Sequence, residues 1–191
     1  MLQDHIRSTT PVLRTIFIVL FFLIAGCATI KVTPPTDALL LNNIPFFKQD
    51  DFQCGPSALA TVLNYWYKRG ETGKSLAPQD IISEIYSSSA RGVLGIDLEL
   101  YAKRLGFRTL QYSGSIEDIR SNIDKGIPLI ILVDYGISVY QQNHFIVTTG
   151  YTKDGIIANS GRKENELILD EELQKIWEKT GFWTLSITPY A

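Results

Sequence analysis

The chain has 191 residues, 45% of them hydrophobic and 20% charged, with a net charge of −2. That length serves one domain with a well-filled core rather than two. The near-neutral balance and the lack of any basic stripe exclude nucleic acid as an electrostatically held partner.

The first segment is not part of the domain. Arg7 and Arg14 precede an apolar run, Thr15 to Ala25, that ends at Gly26-Cys27. A positive start, an apolar core and small residues at the end make an export signal, too short for a comfortable membrane span. Leu23-Ile24-Ala25-Gly26-Cys27 resembles the bacterial lipobox, which implies cleavage after residue 26 and lipid on the Cys27 thiol. Two or more acyl chains hold a protein on a membrane durably. Residues 28–38 contain Pro34-Pro35 and no apolar period, so 27–38 reads as lipidated Cys and tether and 39–191 as the domain.

Within the domain, Cys54 to Lys68 is predicted as the opening helix: Pro56 suits its first turn, Leu59, Val62, Leu63 and Trp66 recur at helical spacing, and Gly70 stops it. A short helix from Pro78 carries Ile81, Ile82 and Ile85, and a third runs from about Asp97 to Leu105 before Gly106. Ser87 to Gly95 is a polar, Gly-containing loop, either a border of the substrate cleft or only a connector. Ser115-Ile-Glu-Asp118 has the form of a capping box, and its helix ends at Gly126. The period then changes. Pro128 to Asp134 is an apolar run of strand length, and His144–Tyr151 and Gly155–Asn159 flank a Lys153-Asp154-Gly155 turn in which Gly is expected at positive φ. Leu173, Ile176 and Trp177 mark a last helix, Phe182–Thr188 a last strand, and Trp66, Trp177 and Trp183 fall on core faces. Helices first and antiparallel strands second define an α+β fold.

Cysteines number two, Cys27 and Cys54. With Cys27 acylated, Cys54 is a lone thiol in a compartment where thiols oxidise, which favours a kept, reactive role. His5 lies in the signal, so the domain holds only His144. One thiol and one imidazole are too few for a zinc site, and no cofactor is expected. A helix start lowers a thiol's pKa, which makes Cys54 the candidate nucleophile and His144 its base. Asn159, on the next strand, is the candidate to orient the imidazole, with Ser160 and Asp154 as alternatives. Gln49 and the Cys54 amide are candidate oxyanion donors.

Pro45-Phe-Phe-Lys-Gln49-Asp-Asp-Phe-Gln-Cys54-Gly-Pro-Ser-Ala-Leu-Ala-Thr-Val-Leu63 resembles the opening motif of the C39 (double-glycine) peptidases, in their stand-alone lipoprotein branch. His144-Phe-Ile-Val and Ile156-Ile-Ala-Asn159 resemble their second motif. The resemblance spans roughly residues 39 to 188. It implies a papain-like fold, N-terminal helices on a C-terminal antiparallel sheet, with Cys54 as nucleophile, His144 as base, Gln49 as oxyanion donor and Asn159 as orienting residue. Gln53 and Asn159 stand where leader peptidases usually have Asp.

The expected activity is hydrolysis of a peptide or amide through a thioester, with a peptide or protein substrate. Transfer of the acyl group to another acceptor and a peptide-binding domain without chemistry are the alternatives. Ala28 follows Cys27; by resemblance to lipoprotein sorting rules, the expected location is the periplasmic face of the outer membrane in a two-membrane bacterium.

Overall fold

The structure, a computed structural model, describes residues 30–31 (backbone), 35–48, 53–87 and 92–190. The expected export signal, Cys27 and Gln49 lie outside the described residues.

Five helices are described: α1 (Cys54–Arg69), α2 (Pro78–Ile85), α3 (Gly95–Arg104), α4 (Ile116–Asp124) and α5 (Asp170–Glu178). Their boundaries follow local chemistry. Pro78 opens α2 where its missing N–H costs nothing. The Ser115 hydroxyl accepts the Asp118 N–H and starts α4, as the capping-box reading predicts. Past the ends of α3 and α4, Gly106 (φ 84°) and Gly126 (φ 76°) take the left-handed conformation that stops a helix.

Eight described strands make one sheet: β1 (Ile30–Lys31), β2 (Leu39–Leu40), β3 (Phe107–Ser113), β4 (Leu129–Asp134), β5 (Asn143–Tyr151), β6 (Gly155–Ser160), β7 (Lys163–Leu169) and β8 (Trp183–Pro189). The order is β1-β7-β6-β5-β4-β8-β3, and β2 pairs with β5. Only β1 on β7 is parallel. At the front end of the sheet β4 closes and β5 opens (Asp134 opposite Asn143), β6 turns into β7 (Ser160 opposite Lys163), and β1 enters beside Lys163. At the rear end Leu39 and Leu40 pair with Tyr151 and Gly150.

Apolar side chains fill both faces. Leu59, Val62, Leu63, Leu98, Ile130, Phe145, Val147 and Leu185 form the core under α1 and α3. Ile119, Ile123, Ile131, Ile146, Ile156 and Trp177 form the other, under α4 and α5. Strand alternation explains the split: Phe145 and Val147 face α1, whereas Ile146 faces away. Each such side chain, fully buried, contributes roughly 1.5–3 kcal/mol.

The fold is α+β as expected, and three local readings are corrected. Helices do not all precede strands: β3 stands between α3 and α4, a strand the sequence reading did not include, whereas α5 before β8 is as expected. The expected tether is partly structured, since Ile30 and Lys31 pair with the open edge of β7. Gly155 does not have positive φ. It is a glycine because a Cβ there would lie 2.4 Å from the Ile168 carbonyl oxygen of β7, so close approach of the strand excludes a side chain.

Candidate active site

Cys54 is the first residue of α1. Gln53 at the N-cap makes no side-chain cap bond, and the first turn carries no acidic residue. The helix therefore starts with amides left for another acceptor. The Cys54 thiol takes up that offer: the backbone N–H groups of Phe145, Gly55 and Cys54 itself all act on it. Burial acts the other way and is larger, so the thiol pKa stands above its ordinary range. The expected lowering by the helix end is present but outweighed, because the half-buried sulfur packs against the α1 core. At neutral pH it is a thiol.

Packing fixes that position tightly. A Cβ at Gly55 would lie 2.2 Å from Val93 Cγ2 and 3.3 Å from Phe145 Cδ2. One at Gly95, at the start of α3, would lie 2.4 Å from the Trp183 ring, which stacks edge-on with Phe145 at 5.4 Å. Val93 thus brings the segment before α3 against the start of α1. This supports reading the loop from Ser87 as a border of the site, although residues 88–91 lie outside the described residues.

His144 is the second residue of β5, opposite Val133 and next to the Phe145 amide that meets the Cys54 thiol. Since Phe145 faces α1, strand alternation sends His144 out on the other face, where Tyr135 lies 6.0 Å away between ring centroids. Its Nε2 approaches the β6–β7 turn, 3.8 Å from where a Cβ on Gly161 would be. Burial lowers the imidazole pKa and the Glu166 carboxylate opposes this. The ring is therefore neutral at pH 7, the form that accepts a proton. Among the described residues no hydrogen bond joins the Cys54 and His144 side chains; the two meet at the sheet's front rim through the 144–145 peptide.

The approach to His144 is braced. Asp134 Oδ1 accepts the N–H groups of Gly136 and Gln142, both at 2.7 Å, closing the β4–β5 loop just before Asn143. Those two bonds hold the carboxyl below its usual pKa. Lys179 Nζ donates to the carbonyl oxygens of Asp134 (3.2 Å) and Gly136 (2.7 Å).

Asn159 is not side by side with His144 as antiparallel pairing suggested. The register sets it opposite Val147, and a bulge in β7 follows. Its buried Oδ1 accepts the Asn165 N–H at 3.0 Å, where Asn165 has φ 55° and its own Oδ1 accepts the Thr149 hydroxyl. Asn159 thus satisfies the bulge, with one lone pair of its oxygen left over. Of the alternatives, Ser160 sits by the Tyr135 phenol, and Asp154 lies in the β5–β6 turn at the rear end. Glu166, ion-paired with Lys163, is the charged group that does act on His144. Sequence reading missed it, because a Glu in a polar segment looks like any solvent-facing residue.

A cavity of about 680 Å³ lies elsewhere, at the rear end, lined by Leu41, Tyr65, Lys68, Arg69, Asp124 and Gly126 among others. It touches none of the candidate residues.

The comparisons bear on the fold and the family. Among solved structures, the chain resembles a putative C39-like peptidase from Bacillus anthracis, at 18% identity and TM-score 0.64, covering 81% of this chain and 98% of that one. It also resembles the peptidase domain of Streptococcus ComA, a bifunctional ABC transporter of a quorum-sensing pathway (20% identity, TM-score 0.61, 78% and 100% covered). A third is a double-glycine motif protease from an AMS/PCAT transporter, solved with its leader peptide (23% identity, TM-score 0.60, 78% and 93% covered). These likenesses show a shared papain-like fold. No match is found among the curated proteins. The model of the Peptidase_C39 like family matches residues 41–184, and the chain belongs to that family.

Proposed function

We propose that the chain is a membrane-attached cysteine peptidase of the cell envelope, with Cys54 as nucleophile and His144 as base. The family supports a peptidase-type function. The observation that carries the residue assignment is the Cys54 thiol at an uncapped helix start, set against the amide of the residue that follows His144.

In this mechanism His144 takes the proton of the neutral thiol as substrate enters, which requires the start of β5 to shift so that the ring comes round the sheet rim from the face it occupies in the free chain. Free enzymes often hold such pairs looser than the substrate complex does. The thiolate adds to the carbonyl carbon, and the Cys54 amide and Gln49 side chain stabilise the oxyanion. As the carbon–nitrogen bond breaks, the imidazolium returns its proton to the leaving amine. His144 then deprotonates water, which attacks the thioester, releases the acid and restores the thiol. Asn159, the orienting residue that the resemblance implies, shares the face of Val147 rather than that of His144, so the charge that steadies the imidazolium in this mechanism is that of Glu166. A peptide substrate is supported by the leader peptide bound to the transporter protease of the same fold.

Attachment is assigned to Cys27, its thiol diacylated before the signal is cleaved just ahead of it, at the periplasmic face of the outer membrane in a two-membrane bacterium. The test is labelling by a peptide-like electrophile that demands general-base help. Wild type is expected to acylate at Cys54, and His144→Ala to lose most of that rate. Equal slow labelling of both would leave the domain as a binder without chemistry, the reading favoured by the missing hydrogen bond between the two side chains.

A further inference from the structure

Three large apolar residues stand almost fully in solvent on the β4–β5 loop: Ile137 (83% exposed), Val139 (89%) and Tyr140 (83%). The loop is built to keep them there. Asp134 ties both of its ends, Lys179 ties its first turn, the Tyr140 N–H bonds the Ile137 carbonyl, and Ser138 between them has φ 58°. A Cβ on Gly136 would lie 1.8 Å from the Tyr140 carbonyl oxygen, so the tight return requires glycine. A rigid loop that holds Ile, Val and Tyr out of water marks a surface for something apolar.

The chain before the described residues says what that is. β1 begins at Ile30 beside Lys163, at the front end of the sheet, which is also where the β4–β5 loop projects. Cys27 precedes Ile30 by three residues, a reach of about 10 Å. Attachment by lipid on Cys27, or by the apolar run of residues 15–25 if it stays, therefore leaves the domain with its front end toward the bilayer. Three strand spacings separate β1 from β5, roughly 14 Å.

We propose that the front end of the sheet lies on the membrane, with Ile137, Val139 and Tyr140 dipping into the lipid as a second contact beside the N-terminal attachment. Tyr140 suits that boundary, its ring among acyl chains and its hydroxyl among headgroups. Cys54 and His144 share this end, so the candidate site lies near the lipid surface and would take substrates presented there. The proposal rests on the membrane attachment given above and not on catalysis.

The test uses the full chain with its own attachment, placed in phosphatidylethanolamine–phosphatidylglycerol vesicles. In a Cys54→Ser background an environment-sensitive fluorophore is carried by Val139→Cys or, at the exposed rear end, by Lys125→Cys. The expected result is blue-shifted emission from residue 139, mostly lost when the lipids carry a spin label in their acyl chains, and unchanged emission from residue 125. Equal, solvent-like emission from both sites would overturn the proposal. So would emission at residue 139 that ignores the spin label but shifts on adding peptide, which would give the loop to substrate. Loss of fatty-acid incorporation in Cys27→Ser reports separately on the lipid anchor, and neither readout needs a working nucleophile.

Discussion

The Cys54 thiol receives the backbone N–H of Phe145, the residue that follows His144. A helix start and a strand start, about ninety positions apart in the chain, are thereby locked at one point of the sheet rim. The sulfur's protonation is set there by two opposed effects, burial and amide donors, and burial wins.

The pH dependence of alkylation reads that balance. With the thiol pKa raised by burial, reaction of free Cys54 with iodoacetamide is expected to climb through and beyond the usual thiol midpoint near 8.5, with no plateau at neutral pH. A rate already flat at pH 7 would mean a preformed thiolate–imidazolium pair. The same sign applies to stability. A pKa raised on folding contributes stability that is complete below the unfolded value and lost as pH rises toward the folded one.

Gly55→Ala tests how tightly the nucleophile is held. Alanine is the better helix former by about 1 kcal/mol, yet its Cβ would meet Val93 Cγ2 at 2.2 Å. Overpacking of this kind costs about 1–3 kcal/mol, so the variant is expected to melt lower and to lose turnover. Adding Val93→Ala removes the colliding methyl, and the melting temperature of the double variant should recover much of the loss.

Asp134→Ala leaves the Gly136 and Gln142 amides without their acceptor in a partly buried place, at a cost of about 1–3 kcal/mol. Hydrogen exchange at those two amides should rise well above that of the β5 interior. In the wild type the carboxyl's lowered pKa gives stability present above its unfolded value of about 3.9 and lost as pH falls below it. The acid limb of the melting curve should flatten in the variant.

The helices were legible because their signals are local: Ser115, Gly106 and Gly126 each act on their own turn, and the apolar runs of β4 and β5 announce buried strands. β7 was not, since Lys163-Glu-Asn-Glu166 carries no alternation, and its place comes from hydrogen bonding to β6. β3 likewise follows α3 with Arg108, Gln111 and Ser113 among its residues and, among the described strands, pairs only with β8. The site shows the same limit. Cys54 and His144 stand out by being alone of their kind, while the use of Asn159 depends on a bulge that no spacing reveals.

Asn159 and Glu166 divide two tasks that one carboxylate could combine, and substitution separates them. Asn159→Ala leaves the Asn165 amide unpaired, so stability should fall by about 1–3 kcal/mol. Asn159→Asp keeps that acceptor but buries a charge, so its stability should fall between wild type and Asn159→Ala, with the imidazole pKa little changed because residue 159 shares the face of Val147 and not that of His144. Glu166→Gln leaves the Asn159 bond alone but removes the charge that holds the His144 pKa up against burial. The imidazole pKa should then fall further, and the acid limb of kcat/KM should move to lower pH, because the neutral base persists there. An acid limb that stays put in Glu166→Gln and moves in Asn159→Asp would return the electrostatic control of His144 to position 159.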